Sequence, residues 1–208
     1  MTDELALIVI FIAICVVILA KCIWHGEYTE DFFLGPGTYV VGKDIPPGKG
    51  DLIAESGGGD FCIKEYKSTT WSTTNKIGAT SPLQPSRYRN LKLHRGDTLE
   101  INGSVNLMVT PPVKIKDVSK ENLCPGIYCF GVDVPPGKYD FEAVSGDGAF
   151  YLFEEGSKEY SLFQDMAEKN DQKAHSYANV VCSRGCVLWI QDSLQLKLTP
   201  SAKPHIWL

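Results

Sequence analysis

Basic residues are few and nowhere clustered: 20 Lys and Arg stand against 25 Asp and Glu, a formal charge of −5. A chain without a basic block is poorly suited to neutralise a phosphate backbone, which disfavours nucleic acid as a partner, and none is expected. Histidine is scarcer still, and His25, His94, His175 and His205 fall in no metal-ligand spacing. Neither H-E-x-x-H, G-x-S-x-G nor a phosphate-binding glycine loop occurs. These absences weigh against an enzyme and against a bound metal or cofactor. Cysteine is present, but not as a framework. Of seven, Cys15 and Cys22 lie in an apolar N-terminal run, leaving Cys62, Cys124, Cys129, Cys182 and Cys186. An odd number in the body cannot be fully paired.

Polar residues are missing from one stretch altogether. Leu5 to Ala20 contains no charge, glycine or proline. With Lys21 snorkelling and Cys22, Ile23 and Trp24 continuing the run, residues 5–24 reach the roughly 20 residues of a bilayer span. The flank Met1-Thr2-Asp3-Glu4 is acidic and no A-x-A site follows, so a cleaved signal peptide does not fit. Lys21 immediately before Cys22 likewise does not fit a lipoprotein box. The expectation is an uncleaved single-pass anchor in the cell membrane. Lys21 on one flank and two acids on the other favour a cytoplasmic body by the positive-inside rule.

The rest of the chain is written twice. Residues 35–111 lie over 124–200 without a gap, and Gly37 with Gly126 and Gly96 with Gly185 share one spacing of 89 (126 less 37, 185 less 96). A duplication of this length predicts two units that stack on one another. The divisions are 1–26 anchor, 27–111 first repeat, 112–123 linker and 124–208 second repeat.

The copies test each other. The spacings Cys124-x4-Cys129 and Cys182-x3-Cys186 suit zinc or a disulfide. Their counterparts are Gly35, Val40, Leu93 and Asp97, so plain buried thiols fit better. A Cys182 nucleophile served by His94 or His175 is a third reading, but Leu93 stands at the cysteine position in the first copy. Arg95-Gly96-Asp97 spells an adhesion tripeptide; its counterpart Arg184-Gly185-Cys186 marks it as a strand-connecting turn.

Each copy has β periodicity. Gly37–Val41 is a β-branched and aromatic run closed by Gly42-Lys43-Asp44-Ile45-Pro46-Pro47-Gly48. Pro47-Gly48 and Pro136-Gly137 suit a type II turn with the glycine at positive φ, and Asp44 and Asp133 suit a carboxylate clasp across it. Further strands are expected at 51–55, 61–66, 87–93, 98–101 and 106–109. Residues 67–86 read as a long loop and Leu162–Lys173 as helix-like. The expected fold is all-β: an N-terminal transmembrane helix, then two tandem antiparallel β-sandwich or jelly-roll-like repeats.

The differences between copies point to a surface. Glu100 becomes Trp189, Gly50 becomes Tyr139, Lys64 becomes Phe153, Lys43 becomes Val132 and Thr74 becomes Phe163. Alternation in Leu188-Trp189-Ile190 turns Trp189 away from the core. Either the first repeat or the linker covers these residues, or they form an interaction face, with Trp71 on the first repeat's loop a further candidate. The partner would be a protein, a second copy of the chain, or a polysaccharide stacked on aromatic rings.

The motif G-x-Y-x-V-G-x-D-I-P-P-G (Gly37 to Gly48), followed by G-D-T-L-E-I-N-G (Gly96 to Gly103), resembles a repeat of bacterial, mostly Gram-positive, surface proteins and lipoproteins. The resemblance covers 35–111 and 124–200. It implies an all-β module outside the membrane, with no assigned chemistry, and so opposes the charge bias on sidedness. The expectation adopted is an extracytoplasmic body with a non-enzymatic interaction or scaffolding role.

Overall fold

The computed structural model describes residues 26–65, 72–79, 84–154, 157, 159–170 and 172–201. The expected span at 5–24 and Trp71 lie outside them, and among the described residues no helix is long and apolar enough to cross a membrane.

The described chain is all-β. Its first half contains β1 (Phe32–Leu34), β2 (Gly37–Val40), β3 (Gly48–Ser56), β4 (Gly58–Lys64), β5 (Ser72–Gly78), β6 (Arg87–Leu93), β7 (Thr98–Gly103) and β8 (Asn106–Thr110). The second half contains β9 (Asn122–Leu123), β10 (Gly126–Cys129), β11 (Gly137–Ser145) and β12 (Asp147–Glu154), then β13 (Tyr160–Ala167), β14 (Ser176–Cys182), β15 (Cys186–Ile190) and β16 (Gln195–Pro200). In the first half β1-β8-β3-β6 and β2-β7-β4-β5 form two antiparallel sheets. The second half repeats that order as β9-β16-β11-β14 and β10-β15-β12-β13. Each half has its own buried cluster drawn from both of its sheets, one around Phe61, Leu99 and Leu107, the other around Phe130, Phe141 and Phe150.

Period-two patterning accounts for most strands. In β7, Leu99 and Ile101 are buried while Glu100 between them is not. Two segments depart from expectation. Ser72–Gly78, read as loop, is the edge strand β5, held along its length by β4; exposed Thr74 and Lys76 alternate with buried Asn75 and Ile77, as suits a strand with one side in solvent. Of Leu162–Lys173, read as helix-like, the part to Ala167 belongs to β13. Leu162 and Met166 are four apart, a spacing that satisfies a helix face and a strand face equally, and pairing with β12 decides for the strand.

The turns are correct in part. Val40 N–H donates to Asp44 Oδ2 at 2.8 Å, and Cys129 N–H to Asp133 Oδ2 at 2.9 Å, so each carboxylate clasps the turn before the prolines and not the expected Pro-Gly turn. The positive-φ glycines, however, are Gly42 and Gly131, at 89° and 92°, and not Gly48 and Gly137, which begin β3 and β11 behind Pro47 and Pro136. Gly48 is needed for a different reason: a Cβ there would lie 2.6 Å from the ring of Tyr28.

Tyr28 also corrects the reading of Tyr139. Tyr139 is buried, stacked on Phe130 at 6.0 Å, with its hydroxyl donating to Pro135 O at 2.9 Å. It is a core residue and no part of a surface. The first half has Gly50 at that position and fills the gap with Tyr28, whose hydroxyl donates to the equivalent Pro46 O at 2.9 Å. A ring supplied by the preceding segment replaces one supplied by the strand.

The halves meet edge to edge. β6 and β10 pair in parallel at Arg89 and Gly126, merging two sheets into one of eight strands. Arg89 N–H donates to Pro125 O at 2.9 Å, and a Cβ on Gly126 would come within 2.5 Å of Arg89 O. Lys49 forms a buried ion pair with Asp133, and Arg89 Nη1 lies 3.7 Å from Asp51. Arg89 Nε and Nη1 and the Asn90 side-chain amide have no hydrogen-bond partner among the described residues. The joint is polar, which is why the two apolar clusters remain separate.

Candidate interaction face

β15 and β12 alternate strictly. Leu188, Ile190, Phe150 and Leu152 point into the core of the second half, so Val187, Trp189, Tyr151 and Phe153 point off its other face. Strand register then aligns them in rows. Ile127, Trp189, Tyr151 and Phe163 stand side by side across β10, β15, β12 and β13. Cys129, Val187, Phe153 and Tyr160 form the next row.

The rings touch. Tyr151 lies 5.4 Å from Trp189 and 4.9 Å from Phe163, centroid to centroid, with planes tilted by 34° and 42°. Tyr160 meets Tyr151 edge-on at 5.5 Å and 77°. Contacts of this kind contribute about 0.5–1.5 kcal/mol each beyond area burial. Burial raises the phenol pKa of Tyr151, and Asp165, Tyr160 and Asp192 add to it in that order.

The first half covers one end of this face. Trp189 Nε1 donates to the Tyr88 hydroxyl Oη at 2.9 Å, and burial holds the Tyr88 phenol well above its ordinary pKa. Cover ends there: Phe163 is 41% exposed and Tyr160 59%. Trp189, Phe153 and Phe163 therefore share the face, Val132 sits exposed on the turn after β10 and in neither row, and Tyr139 is in the core. Tyr151 and Tyr160 were missed. Alternation with Phe153 contained the signal for Tyr151, whose counterpart is Cys62.

The same backbone in the first half presents Thr38, Glu100, Cys62 and Thr74 in the first row and Val40, Thr98 and Lys64 in the second. Lys64 and Glu100 pair there at 2.5 Å. One scaffold thus carries a polar face in one half and an aromatic face in the other.

Cys182 is buried, with its side chain turned into the core, and burial pushes its thiol from 9.0 up to about 12. A thiol held that firmly protonated is a poor nucleophile. His94 lies by Asp97 and His175 by Glu142. No family model, curated protein or solved structure matches this chain.

Proposed function

We propose that the chain is a membrane-anchored, non-enzymatic interaction module of two tandem jelly-roll sandwiches, its body outside the cell membrane, binding a protein partner through the aromatic face of the second half. The strand orders 1-8-3-6 and 2-7-4-5, found twice, support the jelly-roll reading. The observation that carries the function is the contrast between Glu100, Cys62 and Thr74 and their counterparts Trp189, Tyr151 and Phe163 at matched registers. Folding needs neither set, since the polar version folds on the same frame. Contiguous exposed aromatics on a soluble surface mark a binding site.

A polysaccharide is the second reading, favoured by the aromatic rather than aliphatic character of the row. Tilts of 34° to 77° favour protein, because an extended sugar chain stacks best on rings lying nearly in one plane. A photoreactive phenylalanine at position 163 in intact cells should cross-link one defined protein, while the same residue at position 74 should not. Equal capture from both positions would refute the assignment. Co-sedimentation of the chain with isolated cell-wall polysaccharide, lost in Phe163→Ser, would decide for sugar.

A further inference from the structure

The joint between the halves uses two edges, and each edge exists again at a free end of the molecule. β6 corresponds to β14, which pairs only with β11; β10 corresponds to β2, which pairs only with β7 among the described residues. We propose that a second copy of this chain docks head to tail, with the β14 edge of one molecule against the β2 edge of the next, repeating the internal joint.

The parts are present on both edges. Asn90 sits at a positive φ of 57° and its N–H donates to Asp51 Oδ1 at 2.9 Å, a bulge beside the Arg89 amide that meets Pro125. Asn179 repeats it at 64°, donating to Asp140 Oδ1 at 2.7 Å, and so shapes the edge at Ala178 in the same way. The acceptor side, Pro125-Gly126, recurs as Pro36-Gly37, both exposed. Lys49 and Asp133, buried against each other, recur as Lys138 and Asp44, both exposed. Val181 lies opposite Lys138 on β14 and is 64% exposed where the first half has Lys92. Two further positions differ. Arg89 becomes Ala178, and Tyr88 with Trp189 becomes Tyr177 with Glu100, so that the phenol would donate to a carboxylate in place of receiving an indole N–H.

Because the two edges differ, the contact is heterologous. It adds chain after chain and does not close into a two-fold dimer. It is also independent of the aromatic face.

The test uses the full chain in phosphatidylcholine vesicles at increasing density, treated with a carbodiimide, which joins a lysine to a carboxylate only when the two are in contact. A ladder of dimers, trimers and larger species is expected, with Lys138 joined to Asp44 in the linked peptides. Lys138→Gln removes the reacting amine of that link together with one partner of a close interfacial charge pair, and should lower the linked fraction at least about tenfold. Asp44→Asn, which keeps an oxygen for Val40 N–H, should do the same. No ladder, or one that survives both substitutions, overturns the proposal. A ladder abolished by Tyr160→Ser with Phe163→Ser, and untouched by Lys138→Gln, also overturns it, and would assign self-association to the aromatic face.

Discussion

Neutralising Asp133 should open the joint between the halves. Its carboxylate takes the Cys129 N–H through one oxygen and Lys49 Nζ through the other, with side-chain exposures of 4% for Asp133 and 10% for Lys49. Asp133→Asn keeps an oxygen for the turn and removes only the charge, leaving the Lys49 ammonium buried without its hydrogen-bonded anion. Losses of this type cost about 3–5 kcal/mol, a large share of the roughly 5–15 kcal/mol that holds a domain together. Lys49→Met should cost less, because Asp133 keeps its backbone donor. The double variant should recover most of the loss, since a neutral apolar chain over an amide has no unpaired charge to bury. Hydrogen exchange at the Arg89 amide reads the joint directly, that proton being bonded to Pro125 O across it. At 1.4 kcal/mol per tenfold, exchange in Asp133→Asn should quicken by about a hundredfold or more. In the same dilute chain Lys138→Met, at an exposed position, should change stability by no more than about 0.5 kcal/mol. If Asp133→Asn and the double variant exchange at the same rate, the ion pair does not hold the joint.

Tyr28→Ala should destabilise the first half by about 3–5 kcal/mol, as other buried aromatic truncations do, and Tyr28→Phe by about 1 kcal/mol for the bond to Pro46 O; urea melts that match wild type would refute a core role for this ring. Raising pH should weaken the fold. Cys182 and Tyr28 are held neutral by burial, at about 12 against ordinary values of 9.0 and 10.0. Their contribution is complete below about pH 9 and falls as pH climbs toward 12, so Cys182→Ala should delay the onset of alkaline unfolding. The five thiols among the described residues should react poorly with an impermeant maleimide, since four of them are buried and Cys124 is half-buried. Lys120→Cys, at an exposed position, should label in intact cells if the body lies outside, and only after permeabilisation if it lies within.

Periodicity and duplication were enough for the all-β class, the two-fold plan and a turn-bracing role for Asp44 and Asp133, though not for which turn, because these depend on side-chain alternation and on contacts within a few residues. The outward direction of Trp189 and Phe153 was legible for the same reason. Pairing was not. Whether Leu162 and Met166 belong to a helix or a strand is settled by β12 lying beside them, and the Ser/Thr-rich strand β5 exists because β4 supplies its hydrogen bonds. Tyr139 was misread because a glycine-to-tyrosine difference shows only that volume is gained, and not that Tyr28 fills the same space from 22 residues upstream of Gly50 (50 less 28). The aromatic face needed strand register to bring Trp189, Tyr151 and Phe163 into one row from three strands. Lys49 and Asp133 look like ordinary surface residues in the chain; an edge contact between residues 84 positions apart makes them a buried pair.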